Sequence, residues 1–350
     1  MQVSNTFLHW KFYRSPSYVT KEEKGKLIRM DLGEFLGVPR AVPYPDPCQH
    51  TLKQMLADRW KIDLDMITLG VGSDELIERI PQVFLNPKQR VLVTAPTFFR
   101  FSDASLRIGG LVETIFLKRE KQFAFDNAWV DQVLCAAKKR HIRIIWLCSP
   151  NNPTGVIIAN EHIARICRET KTLVILDSVF LGINEQIVEQ TKLIKRFLNL
   201  LVLRSFSKID GFAGIRVGVA IGNKSMITPL EAWRLPFAIP TSSLLVAQQH
   251  LQTLRYAHNS TLFEPERTRL FEAIDNLPSF EIGARSQTSI FLLRHKTRDL
   301  FDLLLQRGIK TADFRNTTGL KRMGFVRITI QTPFTNAKLI EALMDIQKMS

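Results

Sequence analysis

Lys208 stands in the run LVLRSFSKIDGFAGIRVG (residues 201–218), with serines at 205 and 207 and an arginine, Arg216, eight residues further on. An amine in such company can condense with a carbonyl and carry protons, provided burial or nearby cations lower its pKa. Two more polar groups follow apolar runs: Asp177 closes LVILD, and Asn152 lies in SPNNPTG (149–155), directly after IRIIWLC. If the runs are neighbouring strands, an amine, a carboxylate and an amide meet in one crevice.

The elements that must position them are legible in the pattern. RVLVTAP (90–96), IRIIWLCSP (142–150), TLVILDSVF (172–180), NLLVLRSFS (199–207) and RVGVAIG (216–222) look like strands covered on both faces, as a parallel sheet requires. Amphipathic segments such as NAWVDQVLCAAKKR and NEHIARICRET lie between them. The alternation predicts an α/β fold with crossover helices, whose ligands bind beyond the carboxyl ends of the strands. After LPFAIPTSS (235–243) the pattern turns helical, then SIFLLRH and FVRITIQT suggest a second, smaller sheet.

A chain of 350 residues with 45% apolar content can bury a large core and split into two unequal units. The net charge of +15 raises nucleic acid or a phosphorylated small molecule as partners. The charges are scattered, however, and the densest run, KRHIR (139–143), reads as a helix end entering a strand. No zinc-type Cys/His spacing and no RNP-like motif supports a nucleic-acid reader, and no metal site is expected. The four cysteines have no CxxC spacing, which favours a reducing compartment and buried thiols. No apolar run reaches the roughly 18 residues of a membrane helix, and the first residues lack an export signal's apolar stretch, so a cytoplasmic location is expected.

YPDP (44–47), GVGSDELI (70–77), APTF (95–98), SPNNPTG, SFSK (205–208), GIRVG (214–218) and VRITIQTPFTN (326–336) come in one order over most of the chain. In that order and spacing the sequence resembles the fold-type I aminotransferases dependent on pyridoxal 5'-phosphate, in particular their histidinol-phosphate aminotransferase-like branch. The resemblance implies a large domain (40–235) with a mostly parallel sheet flanked by helices. The N-terminal arm (1–39) and a smaller α+β domain (236–350) complete the chain. It also implies a homodimer and a role in amino-acid biosynthesis.

The resemblance assigns roles residue by residue. Lys208 holds the cofactor aldehyde as an imine and moves the substrate's alpha proton, and Asp177 keeps the ring nitrogen protonated. The backbone of Ser73, Asp74 and Glu75 at a helix start cradles the phosphate, completed by Ser205, Ser207 and Arg216. Phe98 stacks on the ring, Asn152 bonds its phenolic oxygen, and Tyr44 reaches the phosphate of the neighbouring subunit's cofactor. Arg327 clamps the substrate carboxylate beside Asn152. The partners implied are an amino donor and a 2-oxo acid.

Departures accompany these matches. Phe180 replaces a tyrosine that bonds the ring oxygen, Val71 replaces an asparagine, and LGEFLG (32–37) replaces the segment over the substrate. KIDGFAG places Asp210 near the active-site loop, for no reason visible in the sequence. Two other outcomes stay open. DFRNTTGL (313–320) also resembles the threonine-phosphate decarboxylase relatives, and the basic balance with Phe180 suits a cofactor- or nucleic-acid-binding protein without catalysis.

Overall fold

The computed structural model describes residues 2–9, 33, 35, 37–183, 185, 187–253 and 260–349. The chain begins with α1 (Asn5–His9) and α2 (His50–Trp60). The main sheet and its helices follow as β1 (Ile67–Val71), α3 (Gly72–Phe84), β2 (Arg90–Ala95), α4 (Arg100–Arg107), β3 (Leu111–Phe116), α5 (Asn127–Lys139), β4 (Ile142–Cys148), α6 (Asn160–Glu169), β5 (Leu173–Asp177), α7 (Ile187–Arg196), β6 (Leu200–Ser205) and β7 (Val217–Gly222). The chain then passes through α8 (Lys224–Trp233), α9 (Thr241–Thr253) and α10 (Ser260–Asp275). A smaller unit ends it: β8 (Phe280–Ile282), β9 (Ile290–His295), α11 (Leu300–Leu305), β10 (Ala312–Asp313), β11 (Val326–Thr329) and α12 (Pro333–Lys348).

The seven strands of the large sheet lie in the order β1-β7-β6-β5-β4-β2-β3. Successive side chains of a strand point to opposite faces, and here each face has its own helix layer. Val174 and Leu176 of β5 and Leu200 and Val202 of β6 pack with α2, α5, α6, α7 and α9. Leu173 and Ile175, with Leu201 and Leu203, pack with α3, α4 and α8. This double covering explains why these strands read as unbroken apolar runs.

The structure departs from the sequence pattern in three respects. RVGVAIG has the pattern of a parallel strand, yet β7 runs antiparallel to both neighbours, pairing Gly218 with Gly70 of β1 and with Ser205 of β6. An interior strand is covered on both faces whichever way it runs, so its sequence carries no direction. The reversal has a consequence for the site, because it brings the start of β7, and with it Arg216, to the edge where the other strands end. The second correction is that β1 and β3, not recognised in the sequence, complete the sheet. The third concerns the thiols, of which Cys148 and Cys167 are buried while Cys48 and Cys135 are exposed.

The smaller unit is a four-stranded antiparallel sheet, β10-β11-β9-β8. Val326 and Ile328 of β11 join Phe291 and Leu293 of β9 against Leu339, Leu343 and Ile346 of α12. The two-residue period then turns Arg327 to the other face, toward the large sheet. Leu32, Glu34 and Leu36 of the LGEFLG segment lie outside the described residues, as does most of the expected N-terminal arm. Among the described residues no helix is long and apolar enough to cross a membrane.

Candidate active site

Strand register gathers the polar groups. Cys148 pairs with Asp177, and Asp177 with Leu203, so β4, β5 and β6 end at one level. Ser149 N donates to Asp177 O at 2.9 Å and Ser178 N to Leu203 O at 2.9 Å, carrying the alignment into the loops. The loops holding Asn152, Asp177 and Lys208 therefore leave the sheet side by side.

Asp177 is 2% exposed and accepts one hydrogen bond from Val179 N, at 3.0 Å. Burial pushes its carboxyl up to about 7, against the downward pull of the Val179 bond and of Lys208. An unfolded aspartate titrates near ~3.9, so between that pH and about 7 the folded protein binds the extra proton. The group's contribution to stability is thus fully present below about pH 4 and lost as pH rises through about 7, amounting to about 4 kcal/mol. Urea unfolding of the cofactor-free protein and of Asp177→Asn, across roughly pH 4.5 to 8, checks this. The stability difference between the two should change by several kcal/mol across the window; parallel profiles contradict the assignment.

Lys208 reaches solvent through the crevice, but the walls still desolvate its amine. Burial, then Arg327 and Arg216, lower its pKa, and Asp177 opposes them. A larger share of neutral amine results, as a nucleophile or base needs. Its Nζ lies 5.6 Å from the centre of the Phe180 ring. Phe180 is itself buried, and Thr288 Oγ1 of the smaller unit donates to its carbonyl at 3.0 Å.

Arg327 Nη1 donates to Asn152 Oδ1 at 2.7 Å across 175 residues of sequence. Its guanidinium stands over Phe314, 5.4 Å from the ring centre. Burial lowers the Arg327 pKa, and its buried Nε has no hydrogen-bond partner among the described residues. Such a cation gains from an incoming carboxylate. The Asn152 loop is held from beneath by Asn151, which is 1% exposed and donates to Pro96 O and Thr154 Oγ1 at 2.9 Å each. Thr97 Oγ1 donates to Asn151 Oδ1 at 3.0 Å, tying in the segment that carries Phe98.

A second cluster lies at the start of α3. Gly72 N donates to Arg216 O at 3.0 Å, and both residues have positive φ, 74° and 51°. A Cβ on Gly72 would sit 2.3 Å from Arg216 Nη2, and one on Gly218 2.3 Å from Ser73 N. Only glycines allow the arginine and the helix start to approach this closely. Arg216 Nη1 also donates to Ala213 O at 3.0 Å and to Ser207 Oγ at 3.4 Å, and Ser207 N donates to Ser205 Oγ at 3.1 Å. A guanidinium, two hydroxyls and the first N–H groups of a helix form a cradle suited to a phosphate dianion.

The acidic side chains of this helix start are turned to other partners. Asp74 accepts from Arg100 Nε at 2.9 Å, Arg100 also pairs with Glu78 and Asp103, and Glu75 accepts from Arg79 Nε at 2.8 Å. The Asp74 hydrogen bond holds Arg100 above its usual range, with burial opposing. Phe98 is half-buried, 5.7 Å edge-on from Phe101. Tyr44 is 53% exposed, its ring 4.7 Å from that of Phe237.

Sequence reasoning missed Asn151, Thr97 and Phe314. The doubled asparagine of NNPTG was a usable signal for the first; the contact of Phe314 with Arg327 depends on how the smaller unit folds back, which no local pattern reports.

The model of the family "aminotransferase class I and II" matches residues 39–343. A histidinol-phosphate aminotransferase of Thermoanaerobacter pseudethanolicus is 30% identical over 335 residues, covering 95% of this chain and 93% of that protein. The solved structure of L-threonine-O-3-phosphate decarboxylase from Porphyromonas gingivalis is 27% identical, with a TM-score of 0.70, covering 86% and 92% of the two chains. That of histidinol-phosphate aminotransferase from Sinorhizobium meliloti, in complex with pyridoxal-5'-phosphate, shares the fold at a TM-score of 0.77 and 19% identity, covering 88% and 83%.

Proposed function

Since this chain belongs to the class I and II aminotransferases, we propose that it moves an amino group from a histidinol-phosphate-like donor to a 2-oxo acid, with pyridoxal 5'-phosphate as cofactor. When bound, the cofactor supplies an aldehyde that captures amines and a ring that withdraws electrons from the bond to be broken. The residues present fit that group, since the arginine-lined cradle at Gly72 matches its phosphate and the buried Asp177 matches a cationic ring nitrogen.

Ser205, Ser207, Arg216 and the N–H groups of Ser73, Asp74 and Glu75 bind the phosphate and fix the cofactor's position. Asp177 keeps the proton on the ring nitrogen; the cation beside it favours the ionised carboxylate and reverses the effect of burial. Lys208 would hold the aldehyde carbon of the cofactor and would move the proton at the donor's amine-bearing carbon. Phe98 and Phe180 exclude water from the ring, Asn152 orients its oxygen, and Arg327 binds the substrate's anionic group. The observation that carries this reading is the convergence of Lys208, Asp177, the Asn152–Arg327 pair and the Arg216 cradle at one sheet edge.

The test is a screen of amino donors against the cofactor-loaded protein, following the visible absorption of the bound cofactor. Histidinol phosphate should bleach it and a 2-oxo acid restore it. A loaded protein that responds to no amino donor refutes the proposal. A second reading, decarboxylation of an amino-acid phosphate, has in its favour the 27% identity to the decarboxylase; carbon dioxide release without bleaching selects it.

The same proposal includes a homodimer, in which the half-exposed Tyr44 reaches the neighbouring subunit's cofactor phosphate, and a cytoplasmic location. It also takes residues 40–235 as the cofactor-binding domain, and 1–39 with 236–350 as arm and smaller domain.

A further inference from the structure

Asp210 follows Lys208 by two residues and takes no part in the roles above. Its side chain is 1% exposed, and both oxygens are engaged. Oδ2 accepts from Ile183 N at 2.8 Å, and Oδ1 lies 3.1 Å from Nε2 of His250, which is on α9. A carboxylate oxygen only accepts, so Nε2 carries the hydrogen. The His250 ring lies 4.4 Å from that of Phe212 and 6.0 Å from that of Phe206, the residues that flank the Lys208 turn.

Asp210 thus joins three pieces of chain. The first is the turn itself, closed by Gly211 N to Lys208 O at 3.1 Å and Phe212 N to Phe206 O at 2.9 Å. The second is the loop running on from Asp177 and Phe180 to Ile183, and the third is α9. Beneath them is fully buried Arg204, which donates to Gly182 O, to Glu185 O at 2.6 Å and to Gln190 Oε1 at 3.2 Å. Burial lowers the Arg204 pKa to about 10, with Asp210 and then Glu185 countering. Buried charges persist where they are paired and hydrogen-bonded.

We propose that Asp210 and His250 are positioning residues for Lys208, pinning the backbone of its turn to α9 and to the Asp177 loop. This rests on the reading of Lys208 as the cofactor-bearing amine. A lysine that first holds a carbonyl and then moves a proton must swing its side chain about a fixed base. Misplacing a reacting group by about 1 Å can cost on the order of a hundredfold in rate. The carboxylate at 210 supplies the fixed base, because releasing either oxygen frees the turn from an anchor, Ile183 N or His250 Nε2.

The test uses cofactor-loaded Asp210→Asn, His250→Phe and His250→Gln, measuring kcat, KM for the donor, the pH midpoint of the cofactor's visible absorption, and Tm. Asp210→Asn and His250→Phe should lower kcat by about ten- to a hundredfold with KM unchanged, and shift the midpoint. His250→Gln, whose amide can still donate to Asp210, should recover most of the rate and the wild-type midpoint. Lower Tm alone, with kcat and midpoint unchanged, overturns the proposal and leaves the pair a stabilising contact. If Asp210→Asn does not fold, the contrast between Phe and Gln at 250 decides. A wild-type protein that takes up no cofactor at Lys208 instead defeats the reading of the site itself.

Discussion

Lys208→Ala is expected to lower amino transfer by about 10⁴-fold or more, the upper range for a group that transfers protons in the rate-limiting step. Under the proposed roles two functions leave with one side chain: the amine that would hold the aldehyde, and the base at the substrate carbon. No other described residue is placed to replace it, since Arg327 is committed to Asn152 and Arg216 to the Gly72 cradle. The phosphate cradle is untouched by the change, so the variant should still bind the cofactor, without covalent attachment. Equilibrium dialysis and a coupled assay measure both quantities. Undiminished transfer in this variant rejects the assignment of Lys208.

Asp177→Asn comes second in expected effect, with a fall of about 10³-fold in kcat. Asparagine matches aspartate in size and can keep the contact to Val179 N, so packing is preserved. What disappears is the negative charge proposed to hold a proton on the ring nitrogen, and with it the electron-withdrawing capacity that this proton would give the ring. Cofactor uptake should survive, because Ser205, Ser207 and Arg216 lie apart from this carboxylate. Asp177→Glu restores the charge and should recover part of the rate. Equal rates for Asn and Asp at 177 contradict the role given to the charge.

The two variants separate binding from chemistry, and the sequence already suggested which residues belong to each. Asp177 and Lys208 were legible because both stand where an apolar run stops, the point at which a parallel strand delivers its side chains to a crevice. Arg216 was legible as a candidate but its delivery was not, since the reversed direction of β7 leaves no mark in RVGVAIG. The glycines 72 and 218 gain their meaning only from the strand pairing that puts one against Arg216 and the other against Ser73. Asp210 shows the limit most clearly. A lone carboxylate after the lysine had no rationale until the fold brought up His250, 40 residues away on a helix with no motif of its own. The Asn152–Arg327 contact likewise joins two units that are unrelated in local sequence.

The proposed chemistry requires that the amine at position 208 carry the cofactor. Borohydride reduction of the loaded protein, followed by proteolysis and mass spectrometry, tests it directly. One modified peptide is expected, with the reduced cofactor on Lys208. A cofactor fixed to another lysine, or none fixed in a preparation that transfers amino groups, contradicts it.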